Sequence, residues 1–86
     1  HEPAIVDYIV EPGARFEGKP ISSLGLPAGC IIVRCSDGKH EWVPKANTRL
    51  EAHMHISVVI SPEASDSISI LHHGCTAPKK TGHLSY

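Results

Sequence analysis

Cys30-Ile31-Ile32-Val33-Arg34-Cys35-Ser36-Asp37-Gly38-Lys39-His40-Glu41-Trp42-Val43-Pro44 is an apolar burst, a turn dipeptide and a second short run closed by proline. The segment from Cys30 to Cys35 is dense in β-branched side chains, which favours a strand. Strict alternation puts Ile31, Val33 and Cys35 on one face and Cys30, Ile32 and Arg34 on the other. Asp37-Gly38 tolerates positive φ and marks a tight turn. The chain then returns from Lys39 to Val43 as another strand, until Pro44, which has no N–H for a ladder. A hairpin at the centre of so short a chain calls for an antiparallel sheet.

Working outward, Ile5-Val6-Asp7-Tyr8-Ile9-Val10-Glu11 reads as an opening strand broken by Pro12-Gly13. A short helix follows, with Pro20 at its first position, Ile21 and Leu24 one turn apart, and Gly25 as the left-handed stop. Beyond a loop at residues 45–52, Met54, Ile56, Val58 and Ile60 alternate with His55, Ser57 and Val59 in a fourth strand. Ser61 and Pro62 open a last helix, whose positive end Glu63 and Asp66 complement. Ala64, Ile68, Leu71 and Cys75 supply its apolar stripe, with Gly74 as a plausible stop. The predicted order is β-α-β-β-β-α: an α+β domain with a mainly antiparallel four-stranded sheet and helices packed on it. Residues 1–75 form the domain and residues 76–86 a flexible tail.

Eighty-six residues make one domain with a small core. Aromatic residues are only 5% of the chain, so Ile, Val and Leu carry that core. So small a unit gains stability by pairing, and a homodimer is expected. Eight Lys and Arg balance nine Asp and Glu, with no clustered basic face, which argues against a nucleic-acid polymer as partner. The longest apolar runs are four residues, far short of the ~20 that a bilayer-spanning helix needs. Three cysteines without framework spacing point to a reducing compartment. His1-Glu2-Pro3 is no signal peptide and reads as a boundary inside a longer protein.

None of this is a catalytic motif. Cys75 beside His72 and His73 has a nucleophile and a base but no orienting group or oxyanion hole. His53 and His55, with Ser57, fall on one face of an extended segment, where two imidazoles reach one Zn²⁺ if a Cys or carboxylate joins them. The plainer reading of that pair is a solvated loop end and strand face. Cys30 and Cys35, an odd number of positions apart, face opposite sides and read as core. A concave surface between the 12–19 loop, the 44–48 loop and the sheet edge is the better binding candidate. Phe16 and Pro44 supply apolar walls there. Arg15, Lys19, Arg34 and Asn47, with Lys45 and Arg49, would attract a small anion. The same cations also read as scattered surface charges.

Phe16, Gly18-Lys19, Leu24-x-Leu26-Pro27, Val43-Pro44 and Thr48-x-Leu50 stand in an order that resembles the C-terminal domain of regulators of K⁺ conductance, the RCK_C or TrkA-C family. The resemblance covers residues ~5–72. It departs at His53-Met54, where the family has Gly-Asp, and at Asn47, where an acidic residue is usual. What it implies is a non-enzymatic, ligand-sensing, dimeric regulatory domain on the cytoplasmic side of the membrane. Such a domain is attached to a K⁺ channel or uptake system, a cation/proton antiporter or a chloride channel. No cofactor is certain; the ligand would be a small anion such as a cyclic dinucleotide, or a divalent cation.

Overall fold

The computed structural model describes residues 2–78. Four strands, β1 (Ala4–Ile9), β2 (Cys30–Ser36), β3 (Glu41–Trp42) and β4 (His55–Ile60), are followed by one helix, α1 (Ser67–Cys75). The sheet runs β1-β4-β2-β3, antiparallel throughout. The predicted α+β class and four-stranded antiparallel sheet are therefore present, with one α-helix rather than two packed on it. Most of the tail expected at residues 76–86 lies outside the described residues.

The expected first helix is a single 3₁₀ turn, Ile21–Ser23, with Pro20 extended before it and Gly25 at φ 73° after it. It stops so soon because Gly25 turns left-handed and Pro27 follows, and the free N–H groups of its first turn are taken up by the neighbouring loop. Ile21 N donates to Thr48 O and Ser22 N to Ala46 O, while Gly18 N and Leu50 N bond to Leu50 O and Lys19 O. These bonds zip residues 18–22 against residues 46–50. The strand expected from Lys39 shrinks to Glu41–Trp42, because the turn consumes four residues. Asp37 Oδ1 accepts from the backbone N–H of Lys39 and of His40, and Asp37 N donates to His40 O.

β2 departs from strict alternation. Ile32 pairs with Val58 but Arg34 pairs with Ser57, so Val33 is an extra residue bulged out of the ladder. Beyond it the faces swap. Cys30, Ile32 and Cys35 are all buried, so the two cysteines share the inner side rather than facing apart. Rows Val6–Val58–Ile32 and Tyr8–Ile56–Cys35 line that inner face. Phe16, Leu24, Leu50, Met54, Leu71 and Cys75 complete the core over it.

The last helix is also interrupted. Ser61 precedes a 3₁₀ turn, Pro62–Ala64, but its hydroxyl caps nothing, and α1 begins only at Ser67. The break shifts the helical phase. Ala64, Leu71 and Cys75 remain buried as expected, Ser67 and Gly74 join them, and Ile68 is left 44% exposed. Gly74 is not the stop. The helix continues through it to Cys75, and Phe16 lies against the space where a Cβ would be. Phe16 N donates to Gly74 O and Glu11 N to Cys75 O, which ties the 11–17 loop to the carbonyl end of α1.

Gly74→Ala is expected to lower stability despite the better helix propensity of alanine. The methyl meets a buried ring, and overpacking of roughly 1–3 kcal/mol outweighs a propensity gain of about 1 kcal/mol. A lower urea midpoint checks this, and adding Phe16→Leu should recover part of the loss. His53→Gly is expected to do the reverse. His53 sits at φ 71°, a left-handed conformation costing a side-chain-bearing residue about 1–2 kcal/mol. Part of that is offset by the ~0.5–1 kcal/mol entropic penalty of glycine, so the urea midpoint should rise by the equivalent of roughly 0.5–1 kcal/mol.

Candidate functional site

The six residues expected to bind a ligand lie on separate surfaces. Phe16 is buried in the core against α1. Its exposed neighbour Arg15 lines a cleft with His72, His73, Thr76, Ala77 and Pro78. Pro44 borders a groove with Ile21, Leu26, Ile31 and Lys45. Arg34 stands on the opposite side of the sheet from α1. Lys19 has its backbone engaged on both sides, with N bonded to Phe16 O and O accepting from Leu50 N. Asn47 is exposed within the turn that Thr48 closes by accepting from Lys45 N through Oγ1. Arg49, also counted as a cation for that surface, donates to Gly18 O at 2.8 Å and staples the two loops together.

The proposed metal pair is placed differently from its expected geometry. His55 is the first residue of β4, opposite Ile9 and Ser36, and is exposed. His53 lies before the strand at positive φ, so the extended spacing that would align it with His55 ends there. Among the described residues, no group of three or more His, Cys, Asp and Glu side chains is placed to hold a metal ion.

The sheet face turned away from α1 carries an arrangement that periodicity alone did not single out. Register sets three rows side by side: Ile5–Val59–Ile31, Asp7–Ser57–Arg34 and Ile9–His55–Ser36. Ile5 is 72% exposed, Ile31 59% and Ile9 50%. The middle row is hydrogen-bonded across three strands. Ser57 Oγ donates to Asp7 Oδ1 at 2.7 Å and accepts from Arg34 Nη2 at 3.1 Å. Arg34 Nη1 also reaches Glu41 Oε1 at 3.5 Å, an exposed pair of little energetic weight. Ser57 is buried by this network rather than by any covering element. Alternation marked Asp7, Ser57 and Arg34 as polar, but only the bulge at Val33 brings Arg34 into their row.

The three thiols are buried and free. Burial raises the pKa of each, and for Cys75 the carboxylate of Glu11 adds to it, pushing the thiol up to about 11. Ser67 Oγ is buried without a nitrogen or oxygen partner and lies beside the Cys30 thiol, a weak hydrogen-bonding group. A nucleophilic cysteine needs the opposite shift. Because the native pKa of Cys75 exceeds the unfolded one, its contribution to stability is complete below about 8.5 and disappears as pH rises toward 11. Urea midpoints are accordingly expected to fall between pH 8.5 and 11, and Cys75→Ala should flatten that decline. Native thiols should alkylate far more slowly than those of the urea-unfolded chain.

No helix among the described residues is long and apolar enough to cross a membrane. The fold is found again in a solved structure, the GsuK channel bound to NAD. It matches at a TM-score of 0.64 and 19% identity, covering 81% of this chain and 14% of that one. The chain thus spans a small fraction of the channel protein it resembles. Residues 5–70 match the TrkA-C domain, well over half of the sequence. With the four-stranded antiparallel sheet, the carboxy-terminal helix and the zipped 18–22 and 46–50 segments in place, the chain belongs to the TrkA-C domain family, whose members are regulatory domains.

Proposed function

We propose that this chain is a dimerising, ligand-sensing regulatory domain acting from the cytoplasmic side of a membrane channel or carrier. The observation that supports this reading best is the uncovered sheet face, with its polar row between two rows containing exposed isoleucines. A two-fold axis along β4 through Ser57 would lay Asp7 of one copy over Arg34 of the other. The same rotation lays Ile5 over Ile31 and keeps each row on its own copy. Like-charge contacts are avoided, and two sheets stacked ~10 Å apart bury side chains that are otherwise in water. The weak Arg34–Glu41 pair leaves the guanidinium free to turn toward a partner carboxylate at little cost.

A small anionic ligand, such as a nucleotide or a cyclic dinucleotide, fits the groove beside this face. Pro44, Ile21 and Leu26 offer apolar walls for a base, and Lys45 a cation for a phosphate. The related GsuK channel structure, described as bound to NAD, favours nucleotide-type chemistry over a bare ion. Such a ligand would act by preferring one arrangement of the dimer, which biases the attached pore or carrier. Its leverage is limited to its difference in affinity for the two arrangements.

Light scattering behind size exclusion should show a dimer at tens of micromolar. Ile31→Asp should give a folded monomer, because a carboxylate buried unpaired against the Ile5 side chain of the other copy costs several kcal/mol. Titration calorimetry with cyclic di-AMP, NAD and divalent ions tests the sensing role. A monomer at every concentration, together with silence in all titrations, would sink the proposal.

A further inference from the structure

At the carbonyl end of α1, away from the open sheet face, Arg15 and the two imidazoles of His72 and His73 line one cleft. Arg15 and His73 also border the adjoining hollow beside Leu24, Ser69 and Ile70. The backbone carrying Arg15 is fixed on both sides. Ala14 N donates to Glu11 O, and Phe16 N to Gly74 O, with Ala14 and Phe16 both buried. The guanidinium is therefore presented over the helix end by an anchored loop. Among the described residues Arg15 has no carboxylate within ion-pair distance.

His73 is oriented as well. A carbonyl oxygen only accepts, so the 2.8 Å contact between His73 Nδ1 and Ser69 O requires the proton on Nδ1. Nε2 is then the free nitrogen, an acceptor when the ring is neutral and a donor when it is charged. His72 packs edge-on against this ring, with centroids 5.7 Å apart.

A helix C-terminus ordinarily repels anions, but here three of its last four carbonyls are already occupied. The oxygens of His72, Gly74 and Cys75 accept from Thr76, Phe16 and Glu11 backbone N–H groups. The neighbouring acids are also engaged, Glu11 by Ala77 N and Glu17 by Gly13 N. Asp66 shares the outer surface of the helix with His72 and His73, but seven residues of α-helix separate it from His73 by ~10 Å.

We propose that the Arg15–His72–His73 cleft binds the terminal phosphate of a phosphate monoester. A guanidinium supplies paired N–H donors to two phosphate oxygens. The second pKa of a phosphate monoester is about 6, so near neutral pH part of it carries a P–O–H donor. That hydroxyl can donate to His73 Nε2, the nitrogen left available by the Nδ1–Ser69 contact. A phosphodiester has no such titratable oxygen. This site is thus distinct in chemistry, as well as in place, from the one proposed for a cyclic dinucleotide. Ala77 and Pro78 on the cleft wall provide apolar surface for the organic part of the ester.

Imidazole ¹H–¹³C spectra of the 86-residue chain, titrated with inorganic phosphate and with phenyl phosphate, test this proposal. His72 and His73 should shift saturably, while His40, His53 and His55 act as internal controls and stay still. Sodium chloride at matched ionic strength should produce no such shift. Arg15→Gln, at an exposed position, should keep the fold and weaken binding at least tenfold. Sulfate, which lacks that hydroxyl donor, should bind several-fold more weakly than phosphate at pH 6.5. Tighter binding of phenyl phosphate identifies an organic monoester, and equal affinity identifies free phosphate. Linear shifts, movement of all histidines together, or unchanged affinity in Arg15→Gln would overturn the site.

Discussion

β4 is hydrogen-bonded along its length to β1 on one edge and to β2 on the other. Everything else in the domain takes its position from that double pairing. Ile56, Val58 and Ile60 point to the inner side and are essentially buried, so a one-residue slip would expose all three and bury His55 and Val59 instead. The same register sets the outer rows, including the Asp7–Ser57–Arg34 network. β4 also ends where Ser61 N meets Gly29 O, which starts the final turn and helix over the core.

The second dependency is at the far end of α1. A nine-residue helix is marginal by itself, so its stability comes from packing and from its occupied ends. The 11–17 loop supplies both. Phe16 fills the notch at Gly74, and backbone donors from Glu11 and Phe16 satisfy the last carbonyls. Because this loop must be rigid to hold the helix, Arg15 is carried on a fixed mount. Structural need and the proposed monoester site thus share one piece of backbone. The open sheet face is a separate surface with separate chemistry, apolar and pairwise neutral rather than cationic.

Much of the fold was legible in the residues. The Asp37-Gly38 turn, the alternation from Met54 to Ile60, Pro62 at a helical start and Gly25 at positive φ are local choices, and local sterics decide them. The failures were non-local. The bulge at Val33 places Cys30 and Cys35 on the same side, and nothing within the segment announces it; the partner strand imposes it. The helix expected at Pro20 is held to one turn, its first N–H groups bonded to residues 46–48, which lie more than twenty positions away. The binding residues suffered most. Arg15, Phe16, Arg34, Pro44 and Asn47 were grouped by chemical type, but the sheet and helix distribute them over separate surfaces.

The amino-acid order alone determined the α+β class, the antiparallel sheet, the resemblance to TrkA-C domains and the absence of a catalytic motif. Each depends on short-range periodicity and on turn residues whose preferences are carried by their own covalent structure. Only the tertiary structure decided which polar side chains meet. Ser57 joins Asp7 and Arg34 through a register slip, and Arg15 meets His72 and His73 because a loop closes on a helix end. Such encounters rest on contacts between distant segments, whose geometry no local preference specifies.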